Sequence, residues 1–436
     1  MKSSRIFLTL LVFGALSGSA QAALAVRSFN LTQLGQLKYN ANPAGQAKTP
    51  AQTAVDAIKG LGGNHVVLTP EARMSTYTSN NIVPVTPLNQ REQERTGYLN
   101  LIRYIKSQGM TVGIRPIVLL STNATDKLHW HGNIQPQDPF AWFKSLEDYL
   151  SPYALIGKLG KIDEFTVGAE LYSMTVGTED QWLEQPYGFP REWTLLIRKF
   201  KTQLGPKTRI MYDINYTDQT VNQDGTGASG GELERWRYRI VDLQPDPSNP
   251  PTMTDASRNA WNQIVELWKE IDVVGIDMYR SLMARNEREP SDYQQLVAKL
   301  EERTSQFASD IDTKLLEIDN AIQTGAPLMS LSNHLPMAAS YSPKKIIVKE
   351  IGYKSCTRCF IDPFSYDNPS LELNVEHQAA AYEAFLNAFV KPNWSWMMGV
   401  SWWDMAIDPA RSGPNDPGFS PRGKTHTENV LRQGWN

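Results

Sequence analysis

Apolar and polar positions follow two alternating rhythms along this chain. Short β-branched and apolar runs alternate with longer stretches in which apolar residues recur every three to four positions. The short runs predict strands at 25–31, 65–69, 111–119, 163–170, 209–215, 272–279, 345–351 and 399–403. The stretches between them predict helices at about 51–61, 91–108, 139–159, 190–204, 257–270, 292–323 and 375–390, with a last one at 427–431. Asp138-Pro139 puts proline in a first helical turn, and Ser291-Asp292 offers Ser291 as an N-cap. Eight strand–helix units in this order predict a (β/α)₈ TIM barrel rather than a doubly wound sheet. The 436 residues suffice to build it as one domain, over 23–436.

Two connections exceed what a barrel requires. Residues 219–256, after the fifth strand, are rich in Gly, Pro, Asp and Asn; residues 285–342, after the sixth, hold a long polar helix and an irregular stretch. Both leave the C-terminal ends of strands, where they either shape a cleft or decorate the surface.

The N-terminus reads as a secretory signal over residues 1–22. Lys2 and Arg5 supply the charge, Ile6 to Leu16 the apolar stretch, and Ala20-Gln21-Ala22 the cleavage site. A mature chain in the periplasm or outside the cell is expected, with no membrane association after cleavage, because no later segment is long and apolar enough. A net charge of −3 and a pI of about 6.1 argue against a nucleic-acid partner. Export also makes a local disulfide the first reading of Cys356 and Cys359. A redox motif would need a different βαβ context, and zinc would need two further ligands that six scattered histidines do not supply.

Candidate chemistry gathers at the predicted strand ends. Glu170 closes the fourth strand and Glu350 the seventh, each in an apolar run beside a glycine. A carboxylate in a buried strand is either paired with a cation as packing or functional. Parallel strands closed into a barrel can bring the two together at one end. Further polar residues fall near strand ends: Arg115 before Pro116, Asp213 and Asn215, Asp277 and Tyr279, and the run Trp402-Trp403-Asp404. Two carboxylates with tryptophans such as Trp130, Trp402 and Trp403 suit glycoside hydrolysis. One carboxyl protonates the leaving oxygen, the other acts as nucleophile or as base for water, and aromatic faces stack on sugars. This chemistry needs no metal and no redox cofactor.

Several segments resemble Glycoside Hydrolase Family 113. They are Gly132 to Phe143 (GNIQPQDPFAWF), Val167 to Leu171, Val274 to Tyr279, Val348 to Tyr353, Gly399 to Trp403 and Phe419 to Lys424. The family belongs to a large clan of retaining TIM-barrel glycosidases, and the family's characterised members are β-1,4-mannanases. The resemblance implies that Glu170 is the acid/base and Glu350 the nucleophile. It also implies that Tyr279 bonds the nucleophile and that a strand-eight tryptophan floors the sugar subsite. Two residues depart from the clan pattern: Ala169 stands where many members carry an Asn for the sugar 2-hydroxyl, and Arg115 where Lys precedes the proline. The expected function is a secreted retaining endo-glycanase acting on β-1,4-mannan or a mannose-containing polymer. Another β-glycan or exopolysaccharide is the alternative, and a barrel that binds polysaccharide without cleaving it is the second. A barrel acting on phosphorylated metabolites is disfavoured, because no Gly-rich phosphate loop follows the last two strands.

Overall fold

The structure, a computed structural model, describes residues 24–32, 47–121, 129–177, 188–221, 226–246, 248–249, 254–325, 341–365 and 372–435. The expected signal lies outside these residues, as do 222–225, 247 and 250–253 of the first long connection and 326–340 of the second. Among the described residues no helix is long and apolar enough to cross a membrane.

Eight parallel strands close into a barrel: β1 (Val26–Thr32), β2 (His65–Leu68), β5 (Thr111–Ile114), β7 (Glu164–Ala169), β8 (Arg209–Tyr216), β9 (Val273–Met278), β10 (Ile346–Ile351) and β11 (Met397–Ala406). The helices around it include α1 (Pro50–Gly60), α2 (Arg91–Ser107), α3 (Pro139–Gly160), α5 (Pro190–Leu204), α7 (Asp255–Glu270), α8 (Tyr293–Gly325), α9 (Val375–Phe385) and α10 (Thr425–Gly434). Strands covered on both faces cannot alternate apolar with polar, which is why β9 and β10 are apolar up to Asp277 and Lys349-Glu350 near their C-terminal ends, and both are buried throughout. The α3 cap is as expected: Asp138 accepts from the Phe140 and Ala141 amides at 3.0 Å. At α8 the cap is Asp292, which accepts from the Gln295 amide at 2.9 Å, not Ser291.

The predicted strand at 111–119 is in fact two. Pro116 has no amide hydrogen and constrains Arg115 before it, so the chain leaves the barrel there. It resumes as β6 (Ile117–Leu120), which joins β3 (Glu71–Met74) and β4 (Val83–Pro84) in a small separate sheet. The long connections also hold α6 (Gly231–Arg237), which the sequence pattern did not reveal, and α4 (Tyr172–Thr175) follows β7 directly.

The main core lies between barrel and helices and holds Trp142, Trp193, Trp236, Trp268 and Trp402. A smaller apolar cluster of Val26, Met211, Val273 and Ile347, from β1, β8, β9 and β10, fills one layer inside the barrel. Next to these positions the interior is ionic. Glu164 of β7 pairs with Lys349 of β10, and His65 Nε2 of β2 lies 3.1 Å from it. Gly113 makes this possible, since a Cβ there would collide with the Glu164 side chain.

Candidate active site

A second ionic cluster occupies the C-terminal ends of the strands. Register irregularities bring its members together. Between β9 and β10, Val348 pairs with Ile276 while Glu350 pairs with Asp277, so one extra residue of β10 is accommodated. Such a bulge breaks the alternation of faces. Lys349 and Glu350, adjacent in sequence, therefore both reach polar partners inside the barrel. A similar shift on β7, between Thr166 and Ala169, precedes Glu170.

Arg115 is the hub. Its Nε donates to Asp213 at 2.5 Å, its Nη2 to Asp277 at 2.6 Å, and its Nη1 to Glu350 Oε1. Tyr279 donates its hydroxyl to the other Glu350 oxygen at 2.9 Å. Asp213 fits because residue 275 on the neighbouring strand is glycine; a Cβ would strike its carboxyl group. One cation thus faces three carboxyls, and Oδ1 of both Asp213 and Asp277 is buried with no hydrogen-bond partner. Burial pushes Asp277 well above the usual carboxylate range, with Arg115 opposing and Glu350 reinforcing the shift. Asp213 moves up for the same reason. With more carboxyls than cations, both aspartates resist ionisation.

Glu170 stands beside this cluster. Its amide donates to the Asp213 carbonyl at 2.9 Å, and its backbone adopts φ +56°, a left-handed conformation costly for a residue with a Cβ. Asn215 Nδ2 donates to Oε1 at 2.7 Å, and His131 Nε2 lies 2.8 Å from Oε2. Burial works against the Glu170 anion, but the bonds from His131 and Asn215 outweigh it and bring its pKa below the usual range. Burial pushes Glu350 up; Arg115 pulls it back and the charge of Glu170 adds to the rise. Each carboxylate therefore responds to the ionisation of the other.

Other candidates occupy different environments. Asn215 and Tyr279 are buried against the two glutamates. Arg115 and Asp277 are buried too, bonded to each other rather than open to a ligand, which corrects their reading as substrate contacts. Trp402 is a further correction. It points away from the barrel, stacked on Tyr382 of α9 at 4.1 Å and edge-on to Phe385 and Trp435. There it stabilises the contact between barrel and helix by about 3–5 kcal/mol relative to alanine. Strand alternation puts Trp403, which is half-buried, on the inner face. Trp130 is half-buried, 4.6 Å edge-on from His131 and 5.9 Å from Tyr172. Asp404 is buried and accepts from Thr32. Cys356 and Cys359 are buried free thiols rather than the expected disulfide; burial, with Cys356 beside it, pushes Cys359 well up and keeps it protonated.

Two functional neighbours escaped the sequence reading. His131 reaches Glu170 from the loop segment before α3, and the only signal was its position between Trp130 and the GNIQPQ run. Glu232 of α6 backs Asn215 by accepting its amide at 3.2 Å, and nothing in the sequence marked it. Surface cavities of about 460 Å³, between α9 and α10, and about 530 Å³, between α8 and α9, are not lined by Glu170 or Glu350, and the chemistry lies at the strand ends.

Residues 38–185 match the model of Glycoside Hydrolase Family 113. None of the curated proteins matches the chain. The solved GH113 β-mannanase of Alicyclobacillus acidocaldarius, in complex with ManMIm, is similar with a TM-score of 0.60 at 16% identity, over 95% of this chain and 97% of that one. A GH113 β-1,4-mannanase is similar with a TM-score of 0.57 at 15% identity, over 95% and 98%. At such identities the likeness to these structures is one of fold.

Proposed function

We propose that this chain, a glycoside hydrolase, is an exported retaining endo-enzyme that cleaves β-1,4-mannan or a mannose-containing polymer by double displacement. The observation that carries the reading is the pairing of Glu350, bonded by Arg115 and Tyr279, with Glu170 at the same end of the barrel. Retaining hydrolysis needs two carboxyl groups with opposite tasks. In the first step Glu350 attacks the anomeric carbon while Glu170 gives a proton to the departing oxygen. In the second, Glu170 takes a proton from water, which displaces Glu350. Arg115 and Tyr279 favour the Glu350 anion. Protonating Glu170 removes the neighbouring charge that opposes this anion, so the two tasks reinforce one another.

The mannan assignment draws on the substrates named for the similar structures and on the resemblance of the strand-end motifs. Export draws on the charged, apolar and small-residue pattern of residues 1–22. A second reading keeps the mechanism and changes the polymer. It is favoured by Ala169, which cannot hold a sugar 2-hydroxyl. Incubation with a panel of β-linked polysaccharides, followed by sizing of the products, tests both. Short mannan oligomers of mixed length are expected; release from a different β-glycan alone supports the second reading. No hydrolysis of any member overturns both and favours a barrel that only binds.

A further inference from the structure

We propose that His131 and Glu170 form a proton-sharing dyad, in which the imidazole keeps the proton that Glu170 hands to the departing sugar oxygen. This inference rests on Glu170 being the acid/base. The free site poses a problem for that role. Both oxygens of Glu170 are engaged, by Asn215 Nδ2 at 2.7 Å and His131 Nε2 at 2.8 Å, in an arrangement that favours the anion. A general acid must be protonated when the glycosidic bond arrives.

His131 resolves the difficulty. Among the described residues it is the titratable side chain hydrogen-bonded to Glu170. Among the described residues the other ionisable groups facing Glu170 are Arg115, which favours its anion, and Glu350, Asp277 and Glu232, whose own ionisation its charge opposes. The imidazole is held in place. It begins the 3₁₀ turn His131–Asn133, with the Trp130 ring edge-on at 4.6 Å, and Asn133 Nδ2 ties the turn to the Tyr172 hydroxyl at 2.9 Å.

An ordinary imidazole binds its proton more tightly than a carboxylate, with values of about 6.5 and 4.3. In the free dyad Nε2 holds the shared proton and donates it to Oε2. A polysaccharide entering the cleft expels water, and lower polarity favours the neutral pair over the ion pair. The proton then crosses 2.8 Å from Nε2 to Oε2. As the bond from C1 to the leaving oxygen breaks and Glu350 bonds to C1, that proton goes to the leaving oxygen. Glu170 is left as carboxylate and His131 neutral. In the second step water loses a proton to Glu170 as its oxygen bonds to C1, and Glu350 leaves as carboxylate. The pair again holds one proton, and no co-reactant is needed.

The dyad should appear in the basic limb of the pH profile of kcat/KM, which reports loss of this proton. The test compares the wild type with His131→Gln, which keeps an amide donor, on β-mannan and on 2,4-dinitrophenyl β-mannobioside. On mannan the basic limb should move down by about one pH unit or more in the variant, towards a lone carboxyl. On the aryl substrate, whose leaving group needs no proton, the rate should fall by less than about threefold. His131→Asn carries the same expectation should the first variant fail to fold. A lower rate with an unmoved basic limb overturns the dyad and leaves His131 as a positioning residue. If Glu170→Ala keeps full activity on mannan, the acid/base assignment itself has failed and the dyad falls with it.

Discussion

Two ionic clusters share the barrel interior, and two adjacent residues of β10 divide them. Lys349 joins Glu164, with His65 Nε2 at 3.1 Å and an Arg209 guanidinium nitrogen at 3.7 Å. Here positive charge meets negative, and although burial opposes the anion, Lys349 and His65 hold Glu164 well below the usual carboxylate range. Glu350 joins Arg115, which Asp213 and Asp277 also claim. Here the carboxyls outnumber the cation, and Asp277 is driven well above that range. Burial of charge therefore does not mark a site by itself, because a closed barrel can seal a balanced cluster as packing. A surplus of carboxyls, kept at the strand ends beside a strained glutamate, is a different arrangement. Its members stay responsive to one another's protons, which acid–base chemistry requires.

The largest contrast should come from removing the glutamates. Glu350→Ala should lower kcat on mannan by about 10⁵-fold. Glu170→Ala should lower it by about 10²–10⁴-fold and much less on aryl glycosides with good leaving groups. Azide should rescue the Glu170 variant with a β-glycosyl azide and the Glu350 variant with an α-product. Swapped stereochemistry would reverse the two roles.

Breaking each hub should separate the clusters next. Arg115→Met leaves three buried carboxyls without their cation and should cost about 3–5 kcal/mol at pH 7, with less loss at pH 5. Lys349→Met should cost a similar amount. Pairing Lys349→Met with Glu164→Leu should return the stability to within about 2 kcal/mol of wild type, since a balanced pair can be exchanged for packed apolar groups. No two-residue exchange can do this around Arg115. Chemical denaturation of the four variants decides it; a full recovery by Arg115→Met with Asp213→Leu would erase the distinction.

Glu232 supplies the smallest test. No salt bridge to it is seen among the described residues, and it keeps a proton instead: burial pushes its pKa from 4.5 up to about 8. The unfolded chain releases that proton at about 4.3. The stabilisation is therefore complete below that pH and is lost as pH rises towards 8. Glu232→Gln should remove roughly 3–4 kcal/mol of the decline between pH 5 and 8. An unchanged pH slope of thermal unfolding would contradict the protonated state.

The strands were legible because a parallel strand covered on both faces is largely apolar, and runs such as Val273–Ile276 and Ile346–Val348 stand out, although β1 and β8 also carry polar residues such as Asn30 and Asp213. Glu170 and Glu350 stood out against those runs. Alternation gave parity but not direction, so Trp402 and Trp403 could not be told apart until Tyr382 was seen against Trp402. The bulge that turns both Lys349 and Glu350 to internal partners has no sequence signature here. His131 meets its partner across 39 positions, through a loop whose path depends on the finished barrel. Glu232 sits in a connection whose helix the pattern did not reveal.

In the proposed mechanism Glu350 forms a covalent bond to the sugar while Glu170 handles the proton. Incubating the enzyme with a 2-deoxy-2-fluoro-β-mannosyl fluoride slows the second step and accumulates the intermediate. Peptide mapping by mass spectrometry should find one added fluoromannosyl group, carried by the peptide containing Glu350. A label on Glu170, or an active enzyme that turns over the reagent without labelling either residue, would contradict the account.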